Sequence, residues 1–163
     1  MKNLMKVAIV AIALSIGFAA NAQQGQMAAG AGLFIGGSNS THFGLGAKFQ
    51  YNVTDPIRLE ASFLSLFPEN GTLWDFSVNA HYLFPLSGTQ LTVYPLVGLG
   101  WVGYRFSTRG YSGSGRNRFG LNLGGGVDFP VTETITLNFE ARYKLVNDWT
   151  NPYFIGIGAA FRF

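Results

Sequence analysis

Large and small side chains alternate along most of this chain. Over about 27–36, Ala29, Ala31, Leu33 and Ile35 share a face; over about 42–51, Phe43, Leu45, Ala47, Phe49 and Tyr51 stand opposite Gly44, Gly46, Lys48 and Gln50. A period of two is that of a strand whose faces meet different surroundings. A third segment, about 57–67, sets Ile57, Leu59, Ala61 and Phe63 against Arg58, Glu60 and Ser62. The fourth, 74–84, alternates Trp74, Phe76, Val78, Ala80, Tyr82 and Phe84 with Asp75, Ser77, Asn79, His81 and Leu83. A fifth spans about 91–105, a sixth about 118–129 and a seventh 135–145, where Ile135, Leu137, Phe139, Ala141 and Tyr143 oppose Thr136, Asn138, Glu140, Arg142 and Lys144. The eighth is YFIGIGAAFRF, 153–163. Turn-forming clusters separate them: GGSNST, NVTDP, PENGT, PLSGT, a long Arg/Gly/Ser stretch over 106–117, PVTET and VNDWTNP. Within PENGT, Asn70-Gly71 is expected to supply the positive backbone angles of a hairpin.

Periodicity alone leaves open which face is inside, because a secreted soluble barrel of lipocalin type alternates equally well around a ligand. Residue size separates the two. The polar face carries Gly30, Gly32, Gly44, Gly46, Gly98, Gly100, Gly120, Gly124, Gly126, Gly156 and Gly158. An eight-stranded barrel is only wide enough to be filled by its own side chains. The Phe, Leu and Ile residues therefore cannot fit inside while glycines line the roomy exterior. With aromatics at 15% and charged residues at 12%, well below the roughly 25% charge of soluble domains, the expected fold is all-β: an eight-stranded antiparallel up-and-down transmembrane β-barrel.

The N-terminus decides the compartment. Lys2 and Lys6 precede an apolar run, VAIVAIALSIGFAA, and Ala20-Asn21-Ala22 then offers a small-x-small cleavage pattern. Residues 1–22 read as a cleaved export signal, leaving 23–163 as one barrel domain. Two lysines leave with it, so the formal charge of +3 becomes +1 (3 − 2), and no nucleic-acid partner is expected. The chain has no Cys, so neither disulfides nor a lipoprotein anchor is available. In hydrocarbon an unpaired strand edge leaves backbone groups unsatisfied, so the last strand is expected to pair with the first.

Outward aromatics fall into two bands. Phe43, Phe67, Trp74, Trp101, Phe119, Tyr143 and Tyr153 lie near the external strand ends, and Tyr51, Tyr82, Phe84, Phe129 and Phe163 near the periplasmic ends. Such girdles mark the two membrane interfaces. The final strand, with Tyr153, Ile155, Ile157, Ala159, Phe161 and Phe163 on one face, resembles the C-terminal assembly signal of bacterial outer-membrane proteins. The chain as a whole is similar in length and strand count to the small OmpA/OmpX-type barrels, and YPLVGLGWVGY in the fifth strand is similar to a strand of porin-like members. The resemblance implies residence in the bacterial outer membrane, assembly by the barrel-insertion machinery, and lipid and lipopolysaccharide as surroundings. No separate peptidoglycan-binding domain, and none of the function it carries in the larger OmpA-like proteins, is expected here. The outward Pro95 departs from the pattern of a closed sheet and is expected to cause a bulge or a lost ladder bond.

Candidate chemistry is sparse. GLGWVG, 98–103, matches the dinucleotide glycine pattern but has no following helix. His42 and His81 lack carboxylates at ligand spacing, and His81 reads as a lumen hydrogen-bonder rather than a metal ligand. Lys48, Arg58, Arg142, Lys144 and Arg162 nearly balance Glu60, Asp75, Asp128 and Glu140, all on the small-residue face. Buried charges persist only when paired, so a salt-bridge network plugging the lumen is expected, with His81 beside it. Arg105, Arg109, Arg116 and Arg118 cluster around the third external connection as a candidate surface for lipopolysaccharide phosphates or an anionic partner. The expected function is that of a monomeric integral outer-membrane protein with a structural or surface-interaction role, without catalytic, cofactor or metal sites. The alternatives are a narrow pore for small solutes, a lipid A-modifying enzyme, or the soluble ligand binder. The enzyme would need a nucleophile, a base and an acid converging at the rim, and no Ser stands two residues after His81.

Overall fold

The computed structural model describes residues 24–69, 71–108, 111–113, 117–147 and 150–163, and for 106–108 and 111–113 the backbone only. The expected signal segment 1–22 lies outside the described residues, as do Asn70, Arg109 and Arg116.

Ten β elements occur in chain order: β1 (Met27–Gly37), β2 (His42–Asn52), β3 (Ile57–Leu66), β4 (Gly71–Tyr82), β5 (Phe84–Pro85), β6 (Thr92–Thr108), β7 (Tyr111–Gly113), β8 (Asn117–Pro130), β9 (Ile135–Val146) and β10 (Tyr153–Arg162). Eight of them form the wall, while β5 and β7 are short extensions paired to β6. Neighbours pair antiparallel in sequence order, and β1 pairs β10 with Ala28 opposite Arg162 and Gly37 opposite Tyr153. The sheet therefore closes on itself, and no long edge is left to expose backbone N–H and C=O groups to hydrocarbon. Wall strands of 10 to 12 residues, such as β10, β1 and β4, match the roughly 9–11 a tilted membrane-crossing strand needs.

Large residues face outward. Phe76, Val78 and Phe139 are exposed, as are Leu33, Leu45, Phe63, Leu99 and Ile157, whereas Glu60, Asp75, Ser77, Asn79 and His81 are buried. The lipocalin-type alternative, which needs Phe76, Val78 and Phe139 around a central cavity, is thereby overturned. The surface these residues build is stable only against lipid tails.

Three local expectations are refined. Gly71 opens β4 without a positive φ; its N–H donates to the Pro68 carbonyl at 3.3 Å, closing the turn in another way. Among the described residues the positive-φ glycines are Gly25, Gly37 and Gly88, and at Gly37 a Cβ would strike the Ser40 carbonyl oxygen. Pro95 causes no bulge. The β4 ladder to β6 stops at His81 opposite Leu96 and resumes at Phe84 opposite Val93, with residue numbers summing to 177 on both sides, so register is kept and only ladder pairing is lost. Finally, the third external connection is not wholly a loop. β6 runs 17 residues and its end pairs with β7, so a two-stranded ribbon projects past the barrel. This end, which bears the ribbon and the longest connection, is the external one, and the end bearing the turns 53–56, 86–91 and 131–134 is periplasmic.

Candidate functional site

The inward face of the wall brings the candidate charges into one layered network. Parity puts them there: each sits one residue out of phase with a lipid-facing neighbour. In the middle layer, Lys48 Nζ lies between Glu60 Oε2 (3.5 Å) and Glu140 Oε2 (3.6 Å). Gln50 donates to Glu60 at 2.9 Å and the Tyr94 hydroxyl to Glu140 at 3.2 Å. One layer outward, Arg142 reaches Glu140 (3.5 Å) and Asp75 (3.8 Å) and donates to Ser62 Oγ at 2.9 Å. Lys144 Nζ pairs with Asp75 Oδ2 at 2.9 Å and donates to Ser77 Oγ, which donates in turn to Asp75 at 2.6 Å. Asn122 donates to Asn79 at 2.8 Å, tying β8 to β4 over Gly98, the register partner of both in the intervening β6.

Toward the periplasm, Arg58 pairs with Asp128 at 2.5 Å and directs Nε to His81 Nδ1 at 3.1 Å. Tyr94 lies between, stacked on the His81 ring at 4.6 Å with the Arg58 guanidinium carbon 4.7 Å from its centroid. A guanidinium can only donate. Nδ1 is therefore the accepting nitrogen, and the ring hydrogen belongs on Nε2, which lies 4.0 Å from Glu60. Glu60, His81 and Glu140 do present ligand atoms within 4.8 Å of one another. However, the Lys48 ammonium already stands between the two carboxylates, and His81 turns its lone pair to Arg58. The cluster is built to hold a protein cation rather than a metal.

Lys48, Arg58, Arg142 and Lys144 are thus matched by Glu60, Asp75, Asp128 and Glu140. Arg162 points inward but joins no ion pair among the described residues, and its Nε is buried without an acceptor.

Sequence reasoning missed an apolar seal. Above Asp75 and Lys144, toward the external end, Leu64, Leu66, Leu73, Val102, Val146 and Phe154 pack together with Phe34 and Tyr104 against them. Parity already assigned these positions inward; what hid the seal is that its members come from six strands. The bulky inward rings fit because glycines face them. Phe34 packs over Gly46 and Gly156, and Tyr94 over its register partner Gly126, where an added Cβ would lie 2.5 Å from the hydroxyl.

Of the external arginines, Arg105 is exposed on the outward phase of β6, while Arg118 is half-buried opposite Val102 on the inward phase of β8. These two lie on opposite faces of the sheet, because their numbers place them out of phase across the β6–β8 register. Among the girdle residues, Phe43, Phe67, Trp101, Phe119 and Tyr143 at one end and Tyr51, Phe129 and Phe163 at the other are exposed. Trp74, Tyr153, Tyr82 and Phe84 are half-buried. Trp101 meets Phe119 edge-on at 5.2 Å, and the Tyr153 hydroxyl bonds Thr41 Oγ1. In the final strand, Ile155 is half-buried and Ile157 and Phe161 are exposed on the lipid side.

A closed wall with a lipid-facing apolar belt and a self-neutralising polar lumen defines a transmembrane β-barrel of the bacterial outer membrane. The sequence matches the family described as outer membrane protein beta-barrel domain over residues 7–163, and the chain belongs to that family. No match to a curated protein was found. Among solved structures, the N-terminal β-barrel domain of Pseudomonas aeruginosa OprF is similar with a TM-score of 0.67 at 20% identity, covering 86% of this chain and 98% of that one. Neisserial surface protein A gives 0.69 at 18%, covering 85% and 96%. Ail of Yersinia pestis gives 0.63 at 21%, covering 86% and 99%. At these identities the likeness concerns the fold.

Proposed function

We propose that this outer-membrane barrel performs a structural and surface-interaction role in the envelope, without chemistry and without passing solutes. The observation that carries the reading is the obstructed lumen: a charge-balanced network across its middle and an apolar seal above it. Water and ions crossing this path would have to break pairs whose partners are withdrawn from solvent. His81, held by Arg58 and stacked on Tyr94, is not presented to the lipid-facing rim, which supports a non-enzymatic role.

Surface interaction would fall to the external end, where β6 and β7 project and Arg105 is exposed. Arg105, with Arg109 and Arg116 of the same connection, would supply the candidate contact for lipopolysaccharide phosphates or another polyanion, to which Arg118 would add from the inner face of the rim. Ail, a fold relative, has been solved with the heparin analogue sucrose octasulfate. The aromatic bands would seat the barrel at the interfaces, and Tyr153, Ile155, Ile157, Phe161 and Phe163 would present the assembly signal to the insertion machinery. The barrel is read as a monomer.

Purified protein in planar bilayers is expected to show no stable conductance steps. Replacing the four arginines with Gln is expected to weaken binding to lipopolysaccharide or sulfated polysaccharide without altering heat-modifiable gel migration. Steady single-channel conductance from the unmodified protein would instead establish the pore reading.

A further inference from the structure

The lumen is sealed externally yet open to the periplasm, where it widens into a cavity of about 60 Å³. Its lining includes Asn52, Arg58, Thr92, Asp128, Thr136 and Arg162. Along the middle of the lumen Lys48, Arg142 and Lys144 each have a carboxylate; at the mouth Arg162 has none among the described residues, although Asp55 and Glu133 stand in the turns of this end. Asp128, the carboxylate in the wall of the cavity, is held by Arg58. Asp55, in a turn at this end, accepts the Gln24 backbone N–H. Arg162 has no ion-pair partner among the described residues, and its buried Nε has no acceptor. The guanidinium does not belong to the lipid headgroups, because Phe161 and Phe163 occupy the outward phase of this strand and Arg162 the inward one.

A buried N–H without an acceptor is rarely left so in a native structure, and a guanidinium presents paired donors that match the oxygens of a carboxylate or phosphate. The cavity holds a few waters or one small group of that kind. We propose that the periplasmic mouth of the barrel is a binding site for a single small oxyanion, phosphate or carboxylate, received by Arg162 and flanked by the hydroxyls of Thr92 and Thr136. The apolar seal makes it a blind cup: the anion enters and leaves from the periplasm and does not cross. This site goes beyond the envelope role and does not depend on what the external loops contact.

The test uses the full chain, folded in neutral maltoside micelles in phosphate-free buffer and titrated separately with inorganic phosphate and with acetate. The Arg162 side-chain Nε–H resonance is expected to shift and saturate with at least one of them. Arg162→Gln is expected to bind about tenfold or more weakly, as loss of a charge-assisted hydrogen bond implies. Arg162→Lys, which keeps the charge without the fork, is expected to fall between. Heat-modifiable migration checks that each variant is folded. A preference for phosphate points to a phosphorylated ligand, one for acetate to a carboxylate, and an equal response to the oxyanion charge alone; all three support the site. Absence of a saturable shift with either anion, or equal affinity in folded Arg162→Gln, overturns it. Should Arg162→Gln fail to fold, the resonance in the unmodified chain decides.

Discussion

The two ends of the lumen are built from the same strands with the same alternation, yet one is dry and the other wet. At the external end, Leu64, Leu66, Val102 and Phe154 form a seal directly above Asp75 and Lys144, whose side chains are 0% exposed. At the periplasmic end, the Arg58 and Asp128 side chains retain 8% and 10% exposure beside a cavity. The environment, more than the distance between charges, sets what an ion pair costs to break. A carboxylate removed beneath the seal leaves cations with no water to turn to, whereas one removed at the mouth leaves a cation that solvent can reach.

That contrast is open to direct attack. The largest effect is expected from Asp75→Asn, which strands Lys144, leaves Arg142 with Glu140 as its carboxylate, and should cost about 3–5 kcal/mol of unfolding free energy. Asp128→Asn, its counterpart at the wetter end, should cost about 1.5–3 kcal/mol, as for a hydrogen bond to a charged group. Urea titration of each folded variant in detergent or vesicles, followed by Trp fluorescence, compares them; equal losses would show that the ends do not differ in dielectric character. Between those two falls Leu66→Ala, which should cost about 2–4 kcal/mol by opening a cavity in the seal, read in the same assay. Smallest is Gly126→Ala, expected at about 1–3 kcal/mol because the new methyl group meets the Tyr94 ring. Combined with Tyr94→Leu it should lose less than the sum of the single changes, since the two sites share one contact.

Much of the fold is legible from residue order because a barrel wall uses the simplest periodicity a chain has. Trp74 to Phe84 alone separates the lipid-facing set from Asp75, Ser77, Asn79 and His81, and the structure keeps that division. Glycines alternating with large residues signal a narrow interior from residue order alone. Less legible was the point at which Pro95 interrupts a ladder without shifting register, because register depends on the partner strand. The ribbon of β6 and β7 was equally hidden, since Gly/Ser-rich sequence reads as loop while backbone pairing can continue through it.

Residue order by itself determined which side chains share a face and that the bulky face must meet lipid: parity is local, and a narrow barrel admits only small or mutually compensating groups. Which carboxylate answers which cation was decided only by closure of the sheet. Pairs such as Arg142 with Asp75 and Arg58 with Asp128 join distant strands across the lumen, and strand tilt sets the height at which each side chain enters. The same closure gathered inward leucines into a seal at one end and, among the described residues, left the buried Arg162 Nε without an acceptor at the other, because height along the axis is a property of the assembled wall.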